Sequence, residues 1–117
     1  MEAFSWVNAI KHPAKEFKLT TLKILEGAVP KNIRGALFRN GPGRLERGGR
    51  IYDHWFDGDG AILGVYFGDN EPSAIYKYVD TEFLIEEEKA GKLLYDNFST
   101  KVSGLFGGLF NRKYKNK

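Results

Sequence analysis

The sequence contains no cysteine and only two histidines, His12 and His54. The lack of cysteine excludes disulfide bonds, thiolate zinc sites and thiol catalysis, and it suits a reducing compartment. Two imidazoles exclude any mechanism that needs a cluster of histidines within this chain. No run of about 18 apolar residues occurs, which excludes a transmembrane helix. The mixed, polar N-terminus also argues against a secretory signal.

The chain is instead rich in aromatic residues and glycine. Its 117 residues include 15% aromatic residues and 14 glycines, a combination that favours strands joined by tight turns. Charge falls into three blocks, with a net charge of +6 over residues 1–50, −8 over residues 51–90 and +5 over residues 91–117. This interruption of the positive charge argues against a nucleic-acid-binding protein, which would present a continuous basic stripe.

Short strand-like segments follow one another from residue 34 onward, separated by turn signals. Because no helical pattern intervenes between them, the sequence predicts an all-β fold built as an antiparallel meander. A short helix is predicted only over residues 4–10. The predicted strands cover Arg34–Arg39, Ile51–Phe56, Ala61–Phe67, Ala74–Asp80, Thr81–Glu87 and Leu93–Phe98, with turns at 40–43, 57–60, 68–72 and 89–92.

Several candidate sites lack the residues or the spacing that the corresponding function needs. Asp57 and Asp59, joined by Asp53, could form an oxygen cluster for calcium, but the spacing of an EF-hand is absent and a solvated turn is favoured. The glycines of residues 58–64 precede a strand, whereas a dinucleotide fingerprint opens a helix. His54, beside two aromatic residues, is interpreted as a packed, hydrogen-bonded side chain, and the carboxylates of residues 86–88 as a solvated edge.

Four ordered motifs carry more information than these sites. They are Gly27-Ala28-Val29-Pro30 with Gly35-Ala36-Leu37-Phe38-Arg39-Asn40-Gly41-Pro42, then His54-Trp55-Phe56-Asp57-Gly58-Asp59-Gly60, then Lys77-Tyr78-Val79-Asp80-Thr81, and then Glu87-Glu88-Lys89-Ala90-Gly91-Lys92-Leu93-Leu94-Tyr95. In this order and spacing the motifs resemble the N-terminal portion of the carotenoid cleavage oxygenases, which include carotenoid and apocarotenoid dioxygenases and the retinoid isomerase. Lys115-Asn116 resembles the start of a further family motif. Ala61 and Leu63 depart from the family pattern, which usually has Met and often His there.

The resemblance implies a fold and an activity. Family members are seven-bladed β-propellers in which four histidines hold Fe(II), and the iron and O₂ split a polyene double bond into carbonyl products. This chain would supply the first one to two blades of an incomplete propeller. The family's iron ligands lie downstream of the matched region, so no catalytic or metal-binding residue is assigned. The motif residues expected to be structural are Arg39, Asn40, Gly41, Pro42, His54, Phe56, Asp57, Gly58, Asp59 and Gly60.

The C-terminal residues combine an apolar segment with a basic one. Leu105, Phe106, Leu109 and Phe110 precede a cationic run, a pattern typical of docking at an anionic membrane surface. The same side chains could instead belong to a core. The family's membrane-docking segment occupies this place, which favours docking.

These observations lead to a set of expectations. Residues 1–25 form an N-terminal extension, residues 26–100 a partial propeller, and residues 101–117 the docking segment at which the chain is truncated. The chain is expected to be the N-terminal fragment of an iron-dependent dioxygenase, inactive alone, cytoplasmic and peripheral on a membrane, without nucleic-acid partners. The full-length protein would take a carotenoid or apocarotenoid and O₂. The alternative is a truncated, non-catalytic β protein that associates with carotenoids or membranes. A lipocalin-like binder is weaker, because the ordered motifs count against it.

Overall fold

A computed structural model describes residues 12–97 and 99–102. The predicted helix over residues 4–10 and the four apolar docking residues, Leu105, Phe106, Leu109 and Phe110, lie outside this part. In chain order, the elements are β1 (Phe17–Thr21), β2 (Gly35–Arg44), β3 (Glu46–Arg47), β4 (Arg50–Ile51), a 3-10 turn (Trp55–Asp57), β5 (Asp59–Phe67), β6 (Ser73–Tyr78) and α1 (Glu82–Ala90). Within the described residues, no helix has the length and apolar character needed to cross a membrane.

Four of the strands form one sheet in the order β1-β6-β5-β2, while β3 and β4 form a separate two-stranded hairpin. β5 and β6 are antiparallel, with Ala61 opposite Tyr78 and Tyr66 opposite Ser73. β1 pairs antiparallel with the other edge of β6, and a register irregularity falls between Phe17 and Thr20. The predicted antiparallel pairing is confirmed in β5–β6 and β1–β6, although β1 lies beside β6 and not beside the next strand along the chain, as a simple meander would have it.

Apolar side chains project from both faces of this sheet. On one face Leu63 lies opposite Tyr76, and the Phe17 ring stacks on Tyr76 with centroids 6.1 Å apart. On the other face Phe38 meets Tyr66 edge to face at 6.0 Å. Successive residues of a strand point to opposite faces, so neither face of the sheet is purely polar. A sheet with this pattern is suited to packing on both sides.

The chain divides into two compact units that interleave along the sequence. One comprises residues 15–41 and 61–78, and its buried apolar side chains include Ala61 and Ala74. The other comprises residues 1–14, 42–60 and 79–117. In its described part, the buried apolar residues Tyr52, Leu84 and Leu93 occur together with a larger set of buried polar ones. These buried polar residues are Arg47, Asp57, Asp59, Glu87, Asn97 and Thr100.

The predicted strand Thr81–Glu87 is wrong, because this region forms α1. The Thr81 side chain caps the helix by accepting a hydrogen bond from the backbone N–H of Leu84 at 3.1 Å. Gly91 ends it in a left-handed conformation, with φ of 65°, so the predicted hairpin turn over residues 89–92 is a helix terminus. Residues 93–97 of the predicted last strand have no regular secondary structure.

Other boundaries also shift. The predicted turn over residues 40–43 lies inside β2, which runs on to Arg44. Of the predicted strand Ile51–Phe56, only Ile51 lies in a strand, where it ends β4. The 3-10 turn begins at Trp55. The predicted turn over residues 57–60 is divided between that 3-10 turn and the start of β5. β1 was missed altogether, and it lies within the stretch expected to be an N-terminal extension.

Three predicted strands are confirmed. The segment Arg34–Arg39 corresponds to the first part of β2, which begins at Gly35. The segment Ala61–Phe67 lies in β5, which begins two residues earlier at Asp59. The segment Ala74–Asp80 corresponds to β6, which ends at Tyr78. Both β5 and β6 are rich in the β-branched and aromatic residues that the strand conformation favours.

Candidate functional site

The expected structural motif is divided between the two units. Arg39, Asn40 and Gly41 lie on β2 in the unit that contains most of the sheet, and Arg39 and Asn40 are exposed to solvent. Pro42 and the whole of residues 54–60 belong to the other unit. Asp57 and Asp59, the motif carboxylates that a catalytic or metal site would use, therefore lie in this other unit.

His54 begins the 3-10 turn as its N-cap. Its Nδ1 accepts a hydrogen bond from the backbone N–H of Phe56 at 3.1 Å, and its ring lies 4.7 Å from the Phe56 ring. The interpretation of His54 as a packed, hydrogen-bonded residue is confirmed. Trp55 and Phe56 stack on each other but remain 60% and 77% exposed, so this turn presents two aromatic rings to solvent.

Asp57 is buried and binds the backbone of a distant segment. Its Oδ2 accepts hydrogen bonds from the backbone N–H groups of Ser99 at 3.0 Å and Thr100 at 2.7 Å. The Thr100 hydroxyl donates a third bond to the same oxygen at 2.8 Å. Three donors aimed at one carboxylate oxygen form a tight anion cradle of the kind that stabilises buried charge.

Asp59, the second motif carboxylate, forms a buried ion pair. Its Oδ2 lies 2.5 Å from Nη2 of Arg47, and its Oδ1 lies 3.3 Å from the hydroxyl of Tyr52. The Arg47 and Asp59 side chains are 4% and 2% exposed. Because the pair is nearly dry, the attraction between its charges is screened far less than at the surface.

The pKa values of Tyr52 and Arg47 both reflect this buried environment. Burial raises the pKa of the Tyr52 hydroxyl, and the charge of Asp59 raises it further. Burial alone would lower the pKa of Arg47, but its hydrogen bonds with Asp59 and Tyr52 outweigh that effect and leave it raised. Arg47 is therefore held as a cation and Tyr52 as a neutral phenol.

Glu87 completes the cluster from α1. Its side chain is fully buried, with Oε2 3.7 Å from Nε of Arg47, while Oε1 accepts hydrogen bonds from the backbone N–H groups of Leu94 and Tyr95. The interpretation of the carboxylates at 86–88 as a solvated edge is therefore wrong at Glu87. Leu84 and Glu87 are three positions apart, so a helix places them on the same face, whereas a strand would place them on opposite faces.

Gly58 explains why the motif needs glycine between its two aspartates. A Cβ at this position would lie 2.8 Å from the backbone carbonyl oxygen of Arg44 and equally close to side-chain atoms of Leu45 and Pro42. No side chain fits there without displacing the backbone. Pro42 and Gly58 thus meet in the fold, although sixteen positions separate them in the sequence.

The three aspartates considered for calcium have separate partners. Asp57 binds Thr100, Asp59 binds Arg47, and the Asp53 carboxylate lies 3.9 Å from Arg50 near the surface. In the stretch from residue 12 to 102, apart from position 98, no group of three or more His, Asp or Glu side chains could hold a metal ion. The donor set of these residues does not fit an iron site.

A groove lies in the unit that comprises residues 15–41 and 61–78. Loop residues before β2 and after β5 line it, including Arg34, whose guanidinium pairs with the carboxylate of Asp69. Both partners of that pair are largely exposed, and Ala28, Val29 and Pro30 of the first motif also line the groove. Its chemistry is that of a solvated surface ion pair.

The comparisons with known proteins identify the family. The family model described as "Retinal pigment epithelial membrane protein" matches residues 10–117, so the chain belongs to this family. The chain is 40% identical over 95 residues to apocarotenoid-15,15'-oxygenase from Synechocystis sp. This alignment covers 79% of the chain and 19% of the relative. The chain is 32% identical over 74 residues to the beta,beta-carotene 15,15'-dioxygenase of Mus musculus, covering 63% of this chain and 13% of that relative.

Solved structures agree with the sequence relatives. A variant of the Synechocystis apocarotenoid oxygenase superposes with a TM-score of 0.82 at 33% identity, covering 95% of this chain and 24% of that one. The cobalt-substituted form of the same enzyme gives the same values. The antiparallel sheet and short helix fit part of a β-propeller, as predicted. The chain spans about a fifth to a quarter of the length of these relatives.

Proposed function

We propose that this chain is the N-terminal part of an iron-dependent oxygenase that cleaves a carotenoid or apocarotenoid. The family match over residues 10–117 carries the proposal, and the named relatives act on apocarotenoids or on beta,beta-carotene. The reaction would split a polyene double bond with O₂ and give two carbonyl products. The chain's described residues do not fit an iron site, so no step of this reaction is assigned to them.

The role of this chain within such an enzyme is structural. Asp57, Asp59 and Glu87 are the buried carboxylates of the described part, and each is engaged by backbone N–H groups or by a cation. Carboxylate oxygens that already accept such bonds suit support of a fold better than proton transfer. Fe(II) and its histidines would then come from sequence outside the chain, which would be inactive alone.

A transplantation experiment tests the proposal. The matching 95-residue stretch of the Synechocystis apocarotenoid-15,15'-oxygenase is replaced by the corresponding residues of this chain, and cleavage of an apocarotenoid is followed by chromatography of the carbonyl products. The chimera should remain active, because a structural segment is interchangeable when its buried contacts are kept. A second chimera with Asp57→Ala should lose activity together with stability.

A chimera that folds and binds iron yet yields no product would contradict the proposal. It would favour the alternative of a non-catalytic protein that binds carotenoids or membranes. That alternative predicts that the chain alone shifts the absorption spectrum of an apocarotenoid, which the leading proposal does not require. The two functions are therefore separable by one spectral titration beside the cleavage assay.

We also propose that the protein is cytoplasmic and docks peripherally on a membrane through Leu105, Phe106, Leu109 and Phe110. The basic run that follows would attract anionic lipid headgroups, and docking would let a water-insoluble substrate leave the bilayer without crossing water.

Co-sedimentation with anionic liposomes tests this docking. The double variant Leu105→Asp/Phe106→Asp should lose binding, whereas the control Ile24→Asp/Leu25→Asp, which changes two exposed apolar residues elsewhere, should keep it. Unchanged binding by the first variant would assign its residues to a core instead.

A further inference from the structure

The four-stranded sheet ends on one side at β2. In the order β1-β6-β5-β2, β2 pairs with β5 along one edge, and no other strand among the described residues pairs with it along the other edge. Its first six residues, 35–40, are all exposed. Further along β2 the carbonyl oxygen of Gly43 accepts a hydrogen bond from the backbone N–H of Ala14 at 2.8 Å, so the unpaired part of the edge precedes it. We name residues 35–40 the open edge.

The open edge has apolar side chains at its centre. Leu37 is 53% exposed and Phe38 is 62% exposed, and as neighbours on a strand they point to opposite faces of the sheet. Arg39 carries the only charge within residues 35–40. An exposed strand edge with apolar side chains and little charge is a template for pairing with a further strand.

The strand at the other end of the sheet, β1, is protected from such pairing. Lys18 is its second residue, and a register irregularity falls between Phe17 and Thr20. Lysines and bulges are both devices by which edge strands avoid further pairing. Antiparallel pairing of two β1 strands about Leu19 would also place the two Lys18 residues about 8 Å apart, within the range of electrostatic repulsion at physiological salt.

A second copy of β2 complements the open edge. When two β2 strands pair antiparallel about a two-fold axis at Leu37, Ala36 of one copy lies opposite Phe38 of the other, so a small residue faces a large one. Arg39 lies opposite Gly35, and the two Arg39 residues are about 14 Å apart, beyond the screening length. An axis at Phe38 would instead bring them to about 8 Å. Charge therefore favours the axis at Leu37.

Arg34, which directly precedes the open edge, is neutralised within its own chain. Its guanidinium pairs with the carboxylate of Asp69, and its Nη1 donates a hydrogen bond to the carbonyl oxygen of Gly68 at 2.5 Å. Arg34 and Asp69 together add no net charge beside the open edge. Arg34 therefore does not oppose the approach of a second basic strand.

We propose that the open edge binds the open edge of a second copy of this chain, antiparallel and about a two-fold axis at Leu37. Backbone N–H and carbonyl groups of each copy bond to those of the other, which joins the two four-stranded sheets into one. Because a two-fold contact uses the same surface on both copies, assembly stops at two. This interaction goes beyond the proposed function and does not depend on it.

Sedimentation equilibrium of the 117-residue chain tests the proposal. The mass should rise to twice that of one chain as the concentration is increased. Leu37→Lys places two ammonium groups opposite each other at the axis and removes an apolar contact, so it should raise the dissociation constant by about tenfold. The matched control Leu19→Lys adds the same charge at a similarly exposed leucine of β1 and should leave the dissociation constant unchanged.

A mixture of two charged variants tests the position of the axis. Leu37→Glu alone should dissociate as Leu37→Lys does, because like charges again face each other. Mixing the two variants should restore association, because a carboxylate then faces an ammonium group across the axis. Recovery on mixing also shows that the single variants are folded.

Cross-linking measures the register directly. The chain contains no cysteine, so one introduced thiol per chain reports its distance from its own copy. Leu37→Cys should form a disulfide-linked pair in the presence of oxidised glutathione, because opposed residues of antiparallel strands have Cα atoms about 4.5–5.5 Å apart. Arg39→Cys leaves the thiols about 14 Å apart and should not cross-link.

Four results would overturn the proposal. The first is a chain that stays monomeric up to the highest soluble concentration. The second is association that Leu37→Lys and Leu19→Lys weaken equally, and the third is cross-linking of Arg39→Cys as rapid as that of Leu37→Cys. The fourth is growth beyond two copies, because a two-fold contact leaves no open edge for a third.

Discussion

At the scale of single residues, the His-Trp-Phe-Asp-Gly-Asp-Gly motif divides its tasks clearly. Asp57 holds a distant backbone, Asp59 neutralises a buried arginine, and Gly58 leaves room for the carbonyl oxygen of Arg44. His54 caps the 3-10 turn by accepting a hydrogen bond from the backbone N–H of Phe56. A motif that looks like a metal or nucleotide site in sequence is therefore a device for burying charge.

Replacing Asp59 with alanine should lower the free energy of unfolding by about 3–5 kcal/mol, because Arg47 is left as a buried cation without its closest partner. Urea denaturation measures the loss. The matched control is Asp69→Ala, which breaks an ion pair whose carboxylate is 88% exposed and should cost less than about 1 kcal/mol. Equal losses in the two variants would show that the Arg47–Asp59 pair contributes no more than a surface pair.

Tyr52 predicts a dependence of stability on alkaline pH. The unfolded chain ionises this hydroxyl near pH 10, while the folded chain keeps it protonated because its pKa is raised. The unfolded state therefore binds fewer protons above pH 10, and the free energy of unfolding falls by up to about 1.4 kcal/mol per pH unit. The contribution of Tyr52 is fully present below pH 10 and is lost as the pH rises.

Urea denaturation between pH 9 and 11 should therefore show a shallower decline in Tyr52→Phe than in the unmodified chain. Burial also raises the pKa of Tyr76, so Tyr76→Phe is measured singly and in combination with Tyr52→Phe. An identical pH slope in Tyr52→Phe and the unmodified chain would contradict the assigned shift.

At the scale of elements, the strands were easier to predict than the helix. Residues 61–67 of β5 form an apolar run of strand length, and β6 alternates with Tyr76 and Tyr78 on one face, so these patterns suffice to predict both strands. α1 was predicted as a strand because Thr81, Phe83 and Ile85, at and just after its N-cap, are aromatic or β-branched residues that suit a strand. The signals that identify it are the capping hydroxyl of Thr81 and the left-handed Gly91.

The buried cluster could be predicted only in part. Asp57, Asp59 and Gly58 were identified from their motif, but their partners were missed. Arg47 precedes Asp59 by twelve residues, and Thr100 follows Asp57 by forty-three. Such pairings arise from the path of the chain and leave no local pattern in the sequence.

Removal of the helix cap tests the assignment of α1. Thr81→Ala should lower the free energy of unfolding by about 1 kcal/mol, because the backbone N–H of Leu84 loses its acceptor. Thr81→Ser keeps a hydroxyl in place and serves as the control, with stability close to that of the unmodified chain. Equal stability of all three chains in thermal denaturation would argue against a capping role for Thr81.

At the scale of the whole molecule, the exposed apolar side chains fit a piece of a larger protein. Phe38 is 62% exposed on one face of the sheet, and Leu19 on an edge strand is 61% exposed. The relatives are four to five times longer than the residues matched here, so most of each relative lies outside the matched segment. Both facts accord with the proposal that the chain supports a catalytic centre formed elsewhere.

The iron content of the purified chain tests this central claim most directly. The chain is incubated anaerobically with Fe(II), desalted and analysed for metal, with His54→Ala as the matched variant. The account predicts that neither protein retains stoichiometric iron, because the carboxylates of the motif are already engaged and His54 caps a turn. One tightly held iron per chain, lost in His54→Ala, would contradict it.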